Sequence, residues 1–259
     1  MIKSLQLSLC VQLRVIGALL RREMLTRYGR NNIGFLWLFV EPMIFTLVMV
    51  AIWSVRRAGM DISVVMFAIT GYPVAMIWRN SVSRGKNAIS PNNALLYHRN
   101  VKVLDIFASR ILLEITGGVA SFLFLVIIFN FTGSMQPPED ILKILFGLLL
   151  MAWFGAALAM VIGSLTERSE VVDKLWSPFS FFLFISSGVF FLVDWLPPVA
   201  QQYILWLPMV HGIELVRDGY FGRLFTAHYD VAYLTFWNLF LTLLGLAMLR
   251  QAGRNVELS

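Results

Sequence analysis

The chain has 259 residues, of which 58% are hydrophobic and 14% charged, with a formal net charge of +6 at pH 7 and a mean hydropathy of +0.74. Soluble domains carry about 25% charged residues, so the composition excludes a water-soluble globule and points to a polytopic membrane protein. The single cysteine, Cys10, excludes an internal disulfide, and His98, His211 and His228 show no metal-ligand spacing.

Residues 1–30 read as a unit of their own. They lack the compact apolar core and small-residue cleavage site of a signal peptide. At about 100° per residue, Leu9, Leu13, Ile16, Leu20 and Met24 share one helical face, with Arg14 and Arg21 opposite and Arg22 at the edge. That pattern predicts an amphipathic helix lying in the membrane interface, in preference to an ordinary cytosolic helix.

The remainder, 31–259, predicts a transmembrane domain. A span needs about 20 apolar residues, and six segments meet or approach that length: 33–55, 62–82, 108–132, 141–164, 176–196 and 229–249. With the N-terminus inside, 16 of the 21 Lys and Arg fall in cytoplasmic segments; Arg56, Arg57, Lys143, Arg217 and Arg223 form the remainder. The positive-inside rule therefore predicts two cytoplasmic termini. Gly155, Ala159 and Gly163 form a small-residue contact face in the fourth span. Gly71 and Pro73 predict a kink in the second, read as a packing feature.

Ionisable residues within spans are expensive in lipid. Glu41, followed by Pro42, lies about eight residues into the first span and has no partner nearby in sequence, so it is expected to face a neighbouring helix, a subunit contact or a cavity. Arg110 and Glu114 have i,i+4 spacing and predict a local ion pair. The basic loop 83–107 contains a turn and cap at Ser90-Pro91-Asn92-Asn93, then the start of a short helix at Ala94–Tyr97. It is either a solvated positive-inside loop or a docking element for a cytoplasmic partner.

Segment 195–225 fits no single span. An apolar helix is expected to run into Asp194 and Trp195 and break at Pro197-Pro198, because paired prolines remove backbone donors. Two short amphipathic pieces follow, separated by Pro208, and the second carries His211, Glu214, Arg217 and Asp218. This predicts a re-entrant hairpin or interfacial cap, sheltered by protein or by a water-filled cavity. His211, Glu214 and Arg217 lie roughly along one face. They are expected either to stabilise that cap, by pairing with each other or with loop backbone, or to contact a transported polymer.

No phosphate-binding loop, HExxH, GxSxG or CxxC motif occurs, so ATP hydrolysis, if used, belongs to another chain. An ion-coupled carrier acting alone would need inverted repeats and a midplane ionisable site, for which Glu41 is the candidate. A membrane transferase acting on lipid-linked sugars would draw on Asp194, His211, Glu214, Asp218 and Asp230, without a recognised catalytic motif.

Across essentially its whole length the chain resembles the permease subunits of ABC-2 type exporters of capsular polysaccharide. The resemblance rests on Arg21-Arg22-Glu23, Thr26-Arg27-Tyr28-Gly29, Gly34-Phe35-Leu36-Trp37 and Glu41-Pro42. It continues through Tyr97-His98-Arg99-Asn100-Val101-Lys102, with Asp105, Arg110 and Glu114, and is most specific at residues 206–217, WLPMVHGIELVR. The chain departs from the usual family pattern at Leu207, where Asn is common, and at Asn100 and Val103, where prolines are. Exporters of O-antigen or teichoic acid share the layout.

The resemblance implies a homodimer with a channel at its interface, two ATP-binding cassette subunits that hold ATP and Mg, and no cofactor on this chain. It also implies a periplasmic adaptor, an outer-membrane exporter, membrane lipid and a polysaccharide substrate as partners, and no nucleic acid. Asn93, Leu96, Tyr97, His98, Arg99 and Lys102 would belong to the coupling helix. Arg14, Arg21, Arg22, Arg27 and Tyr28 would line the cytoplasmic entrance. Asp194, Trp195, Pro197, Pro208, His211, Glu214 and Arg217 would build periplasmic gate helices, and aromatic side chains would line the path.

Overall fold

The computed structural model describes residues 2–28, 33–54, 63–92 and 101–258. Every regular element among them is helical. The long helices are α1 (Ile2–Tyr28), α2 (Ile33–Ser54), α3 (Val64–Gly85), α4 (Val103–Phe131), α5 (Ile141–Arg168) and α9 (Val231–Leu258). Between α5 and α9 lie α6 (Glu170–Phe184), α7 (Pro198–Ile204) and α8 (Pro208–Phe221).

Local chemistry explains several boundaries. The Asp140 carboxylate accepts the Lys143 N–H at 3.1 Å and starts α5, while Asp105 accepts the Lys102 N–H at 2.8 Å at the start of α4. Pro198 and Pro208 stand in the first turns of α7 and α8, where the missing N–H is no loss and the fixed φ suits a helix.

Among the described residues, three helices are long and apolar enough to cross a membrane: Val103–Phe131, Ile141–Arg168 and Val231–Gln251. At 1.5 Å per residue, the 29 residues of α4 extend about 43 Å, beyond a hydrocarbon core of about 30 Å. The ion pairs sort the described residues into two ends of the molecule. Arg27–Glu114, Arg84–Glu114, Glu23–Arg110 and Lys86–Asp173 lie at one. Lys143–Asp218, Arg217–Glu214 and His228–Asp194 lie at the other. No ion pair among the described residues joins the two sets, and α3, α4 and α5 each run from one end to the other.

Two expectations need correction. The segment expected to span 176–196 is not one helix. Its α-helix begins at Glu170 and ends at Phe184, giving way to a π turn at Ile185–Val189 in which Gly188 has φ 91°. The break therefore comes well before Pro197-Pro198, at a backbone conformation that only glycine adopts readily. The Arg110–Glu114 pair does not form either. Helix α1 crosses α4 and supplies Arg27 to Glu114 and Glu23 to Arg110 (3.4 Å), while Arg84 of α3 approaches Glu114 at 3.3 Å. Tertiary partners on crossing helices outcompete a weak i,i+4 pair.

The small-residue face of α5 is a contact face, as expected. A Cβ on Gly155 would sit 2.7 Å from the Trp78 Cα, and one on Gly163 would sit 2.6 Å from the Phe107 ring and 2.7 Å from the Gly85 carbonyl. The space is closed by backbone on α3, which cannot swing aside. We expect Gly163→Val to destabilise the protein by about 1–3 kcal/mol through overpacking, read as a lowered unfolding midpoint in mild detergent. An unchanged midpoint would contradict this packing.

Candidate functional site

The residues singled out between Asp194 and Arg217 converge at one end of the molecule. Helix α8 is buried almost throughout, including His211 (5% exposed), Glu214 (0%) and Arg217 (0%), whereas α7 has no buried residue. The second piece is thus an internal helix lying against α3 and α5, not an amphipathic cap. Its charges can be buried because loop backbone and ion pairs satisfy them.

Arg217 carries most of that backbone bonding. Its Nη1 donates to the carbonyls of Gly188 (2.6 Å) and Phe191 (2.7 Å), and its Nη2 donates to that of Val189 (3.2 Å). These carbonyls belong to the turn where α6 breaks. The guanidinium carbon stands 4.2 Å from the Phe67 ring centroid, a cation–π distance. On α3, Gly71 supplies the room: a Cβ there would lie 2.7 Å from Nη2 and 3.1 Å from the Val189 carbonyl. The expectation of Gly71 as a packing position is therefore met with a particular partner, the guanidinium.

Glu214 lies 3.9 Å from Arg217 and accepts the backbone N–H groups of Val193 (3.4 Å) and His228 (3.2 Å). Burial raises the pKa of its carboxyl above the ordinary value, and Arg217 offsets only part of that rise. His211 is held differently. The Asp230 N–H donates to its Nδ1 at 2.8 Å, so its Nε2–H must donate to the Leu205 carbonyl, also at 2.8 Å. That bonding requires the neutral ring, and burial likewise lowers the His211 pKa from its ordinary value. The three residues therefore serve different loops: Arg217 the turn at 188–191, Glu214 residues 193 and 228, and His211 residues 205 and 230.

The neighbouring predicted positions are close but do not form a single cluster. Asp194 meets His228 at 3.4 Å, and Trp195 stacks on Phe67 with ring centroids 5.3 Å apart. Pro197 immediately precedes α7, and Pro208 starts α8. Reasoning from sequence missed Gly188, Phe67 and Lys143. The last bonds Asp218 at 2.8 Å, alongside the Tyr229 hydroxyl at the same distance. The positive φ of Gly188 leaves no local signature beyond the glycine itself.

At the opposite end, Arg14, Arg21 and Arg22 are exposed along α1 and line a shallow groove with Leu25. Arg22 also donates to the Asn92 side chain at 3.1 Å, and Arg27 turns inward to Glu114. Glu41 is exposed at the rim of a pocket between α1, α2, α3 and α4. The main chain of Lys102 meets Asp105. Asn93, Leu96, Tyr97, His98 and Arg99 lie outside the described residues, as do the side chains of Tyr28 and Pro42.

Comparison with known proteins identifies the framework. Residues 14–221 match the ABC-2 type transporter membrane family. The chain belongs to this family. It is 46% identical over 252 residues to the capsule polysaccharide export inner-membrane protein CtrC of Neisseria meningitidis serogroup B, covering 96% of this chain and 95% of CtrC. It is 44% identical to the corresponding BexB of Haemophilus influenzae, with the same coverage of each chain. Identity to the polysialic acid transport protein KpsM of Escherichia coli is 30%, covering 93% of this chain and 94% of KpsM. In this ABC-2 chain, the segment matched by the family ends at the last residue of α8, so the Arg217 contacts lie inside the family framework.

Removing the guanidinium would orphan three carbonyls and leave Glu214 buried without its counter-charge. Arg217→Met should cost about 3–5 kcal/mol, the usual consequence of removing one partner of a buried pair. Gly71→Ala should produce a smaller loss in the same direction. The check is the denaturation midpoint of the detergent-solubilised protein followed by Trp fluorescence; a wild-type midpoint for Arg217→Met would refute the assignment.

Proposed function

We propose that this chain is the transmembrane permease subunit of an ATP-driven exporter that moves capsular polysaccharide, as a lipid-linked chain, from the cytoplasm to the periplasm. The observation that carries this reading is 44–46% identity, over 95% or more of both chains, to CtrC and BexB, which are named as capsule polysaccharide export inner-membrane proteins. O-antigen or teichoic-acid polymers are the alternative cargoes.

In this reading six helices cross the inner membrane and both termini are cytoplasmic, as the distribution of Lys and Arg supports. Two copies form the channel at their shared face. Two ATP-binding cassette subunits beneath them bind ATP and Mg, and an adaptor and an outer-membrane exporter continue the path. The end bearing Glu114 and Lys86 is cytoplasmic; α7 and α8 gate the periplasmic end.

The loop 83–107 seats in the ATPase through the Ala94–Lys102 region, of which Lys102 itself is extended and precedes α4. Support comes from the bonds tying the segment before it to the helices. Arg22 of α1 holds Asn92, Arg110 of α4 holds the Asn87 carbonyl, and Lys86 pairs with Asp173 of α6 at 2.7 Å. A push on this loop would reach three helices directly. Exposed Arg14, Arg21 and Arg22 attract the phosphate or carboxylates of the arriving polymer.

Two experiments test the reading. A tagged chain purified in mild detergent should bring down a Walker-motif ATPase, identified by mass spectrometry, and should lose it when residues 97–102 become a Gly/Ser stretch. A stable chain that recovers no ATPase under several conditions would favour a carrier acting alone, with Glu41 as its ionisable site. Charge reversal at Arg21 and Arg22 should lower surface polymer severalfold at an unchanged level of inserted protein. Undiminished export would remove these cations from the entrance.

A further inference from the structure

The pocket between α1, α2, α3 and α4 has a chemistry that the packing does not require. It is lined by Glu41 of α2, by Tyr72 and Asn80 of α3, and by Ser121 of α4, with Arg27 and Glu114 also in its wall. Helix–helix contact in a membrane is met by small and apolar residues, and such residues fill the α3–α5 seam. Here a carboxylate, an amide and two hydroxyls converge instead, at the level of the membrane domain.

Ser121 makes the case specific. It is 2% exposed, and its Oγ has no hydrogen-bond partner. Among the buried hydroxyls of the surrounding helices, Thr70 bonds the Met66 carbonyl at 2.7 Å, Ser81 that of Ile77 at 2.7 Å, and Ser109 that of Ile106 at 2.9 Å; Thr46 of α2 is also without a partner, but it does not line the pocket. Ser121 could do the same on α4 and does not. A buried polar group left without a partner is costly, by about 1–3 kcal/mol, so its presence in the pocket wall points to a partner that arrives with a ligand.

The charges narrow the ligand. Arg27 and Arg84 both meet Glu114, so that corner carries one net positive charge, which the Glu41 carboxylate in the same pocket wall balances. Among the described residues no cation forms an ion pair with Glu41. A phosphate or a sugar carboxylate would meet the like charge of Glu41. Neutral hydroxyls would not, since a carboxylate accepts from two vicinal hydroxyls while amide and hydroxyl side chains both donate and accept. Convergent polar groups in a recess between helices are the usual form of a small-ligand site.

We propose that this pocket holds the neutral, hydroxyl-bearing face of a sugar residue of the transported polymer, bonded by Glu41, Asn80, Tyr72 and Ser121. It leaves the acidic groups of the polymer to the exposed arginines of α1. The proposal rests on the exporter reading above, and it makes the pocket a sugar subsite on the cytoplasmic half of the path. Glu41 is then a sugar ligand and not a proton carrier.

The test uses the intact exporter in cells whose own gene is replaced by the variant. A photo-crosslinking benzoylphenylalanine is placed at Met76, a half-buried position in the pocket wall outside the four proposed ligands, or at Phe131, which is 88% exposed at the far end of α4. The polymer is labelled by growth on tritiated glucose. The expected result is a labelled adduct at position 76 and none at position 131. Adding Glu41→Leu should lower the adduct yield about tenfold, the equivalent of one lost hydrogen bond to a charged group, with co-purified ATPase reporting that the protein still folds.

If position 76 gives no adduct in cells that display normal surface polymer, the sugar subsite is overturned and the exporter reading stands. If surface polymer does not depend on this gene at all, both fall. As a control on the bulky crosslinker, Met76→Cys is probed with maleimide. Faster labelling in cells that make no polymer supports the subsite; equal rates with and without polymer overturn it.

Discussion

A guanidinium with no contact with water is an awkward object in a protein that already lives in lipid. Removing such an ion from water costs several kcal/mol even after relaxation, and Arg217 and Glu214 are both fully buried. The cost is offset only because the turn at residues 188–191 presents three carbonyls that no helix uses and the guanidinium has donors for all of them. The dependence is mutual: a broken helix cannot leave its carbonyls bare at membrane depth, and an arginine cannot be buried there without acceptors. Gly71, Gly188, Phe67 and Glu214 are arranged around this exchange, and the placement of α8 inside the bundle follows from it.

The opposite end uses the same physics more loosely. Glu114 is almost fully buried and is met by Arg27 from α1 and Arg84 from α3, both of which keep some solvent contact. These pairs cost less to form and are easier to break than the Arg217–Glu214 arrangement, because partial exposure screens them. One end is thus tightly bonded, and the other is an ionic joint between α1 and the bundle. On the exporter reading proposed above, the looser joint stands at the end assigned to the cytoplasm.

Legibility from sequence followed how local each feature is. The N-terminal helix, the long apolar helices, the short helices opened by Pro198 and Pro208, and the small-residue face of α5 were all readable, because each depends on residues within a few turns of one another. The Arg110–Glu114 pair was misjudged because spacing along one helix says nothing about Arg27 and Glu23 approaching from another. The end of α6 at Phe184 was likewise missed. Prolines at 197 and 198 announce a break, whereas a lone Gly188 among apolar residues looks like any other membrane glycine until its φ is known.

The sequence by itself determined the class of this protein. Apolar content specifies a helical membrane protein, and the motif order specifies its family. Those properties are sums or local patterns along the chain. Only the tertiary structure decided that His211, Glu214 and Arg217 bond three different sets of backbone groups, that Gly71 is the space for a guanidinium, and that Ser121 faces a polar pocket with no partner. The physical reason is that a buried charge or hydroxyl is defined by what surrounds it, and those surroundings come from helices up to about 150 residues away in the chain.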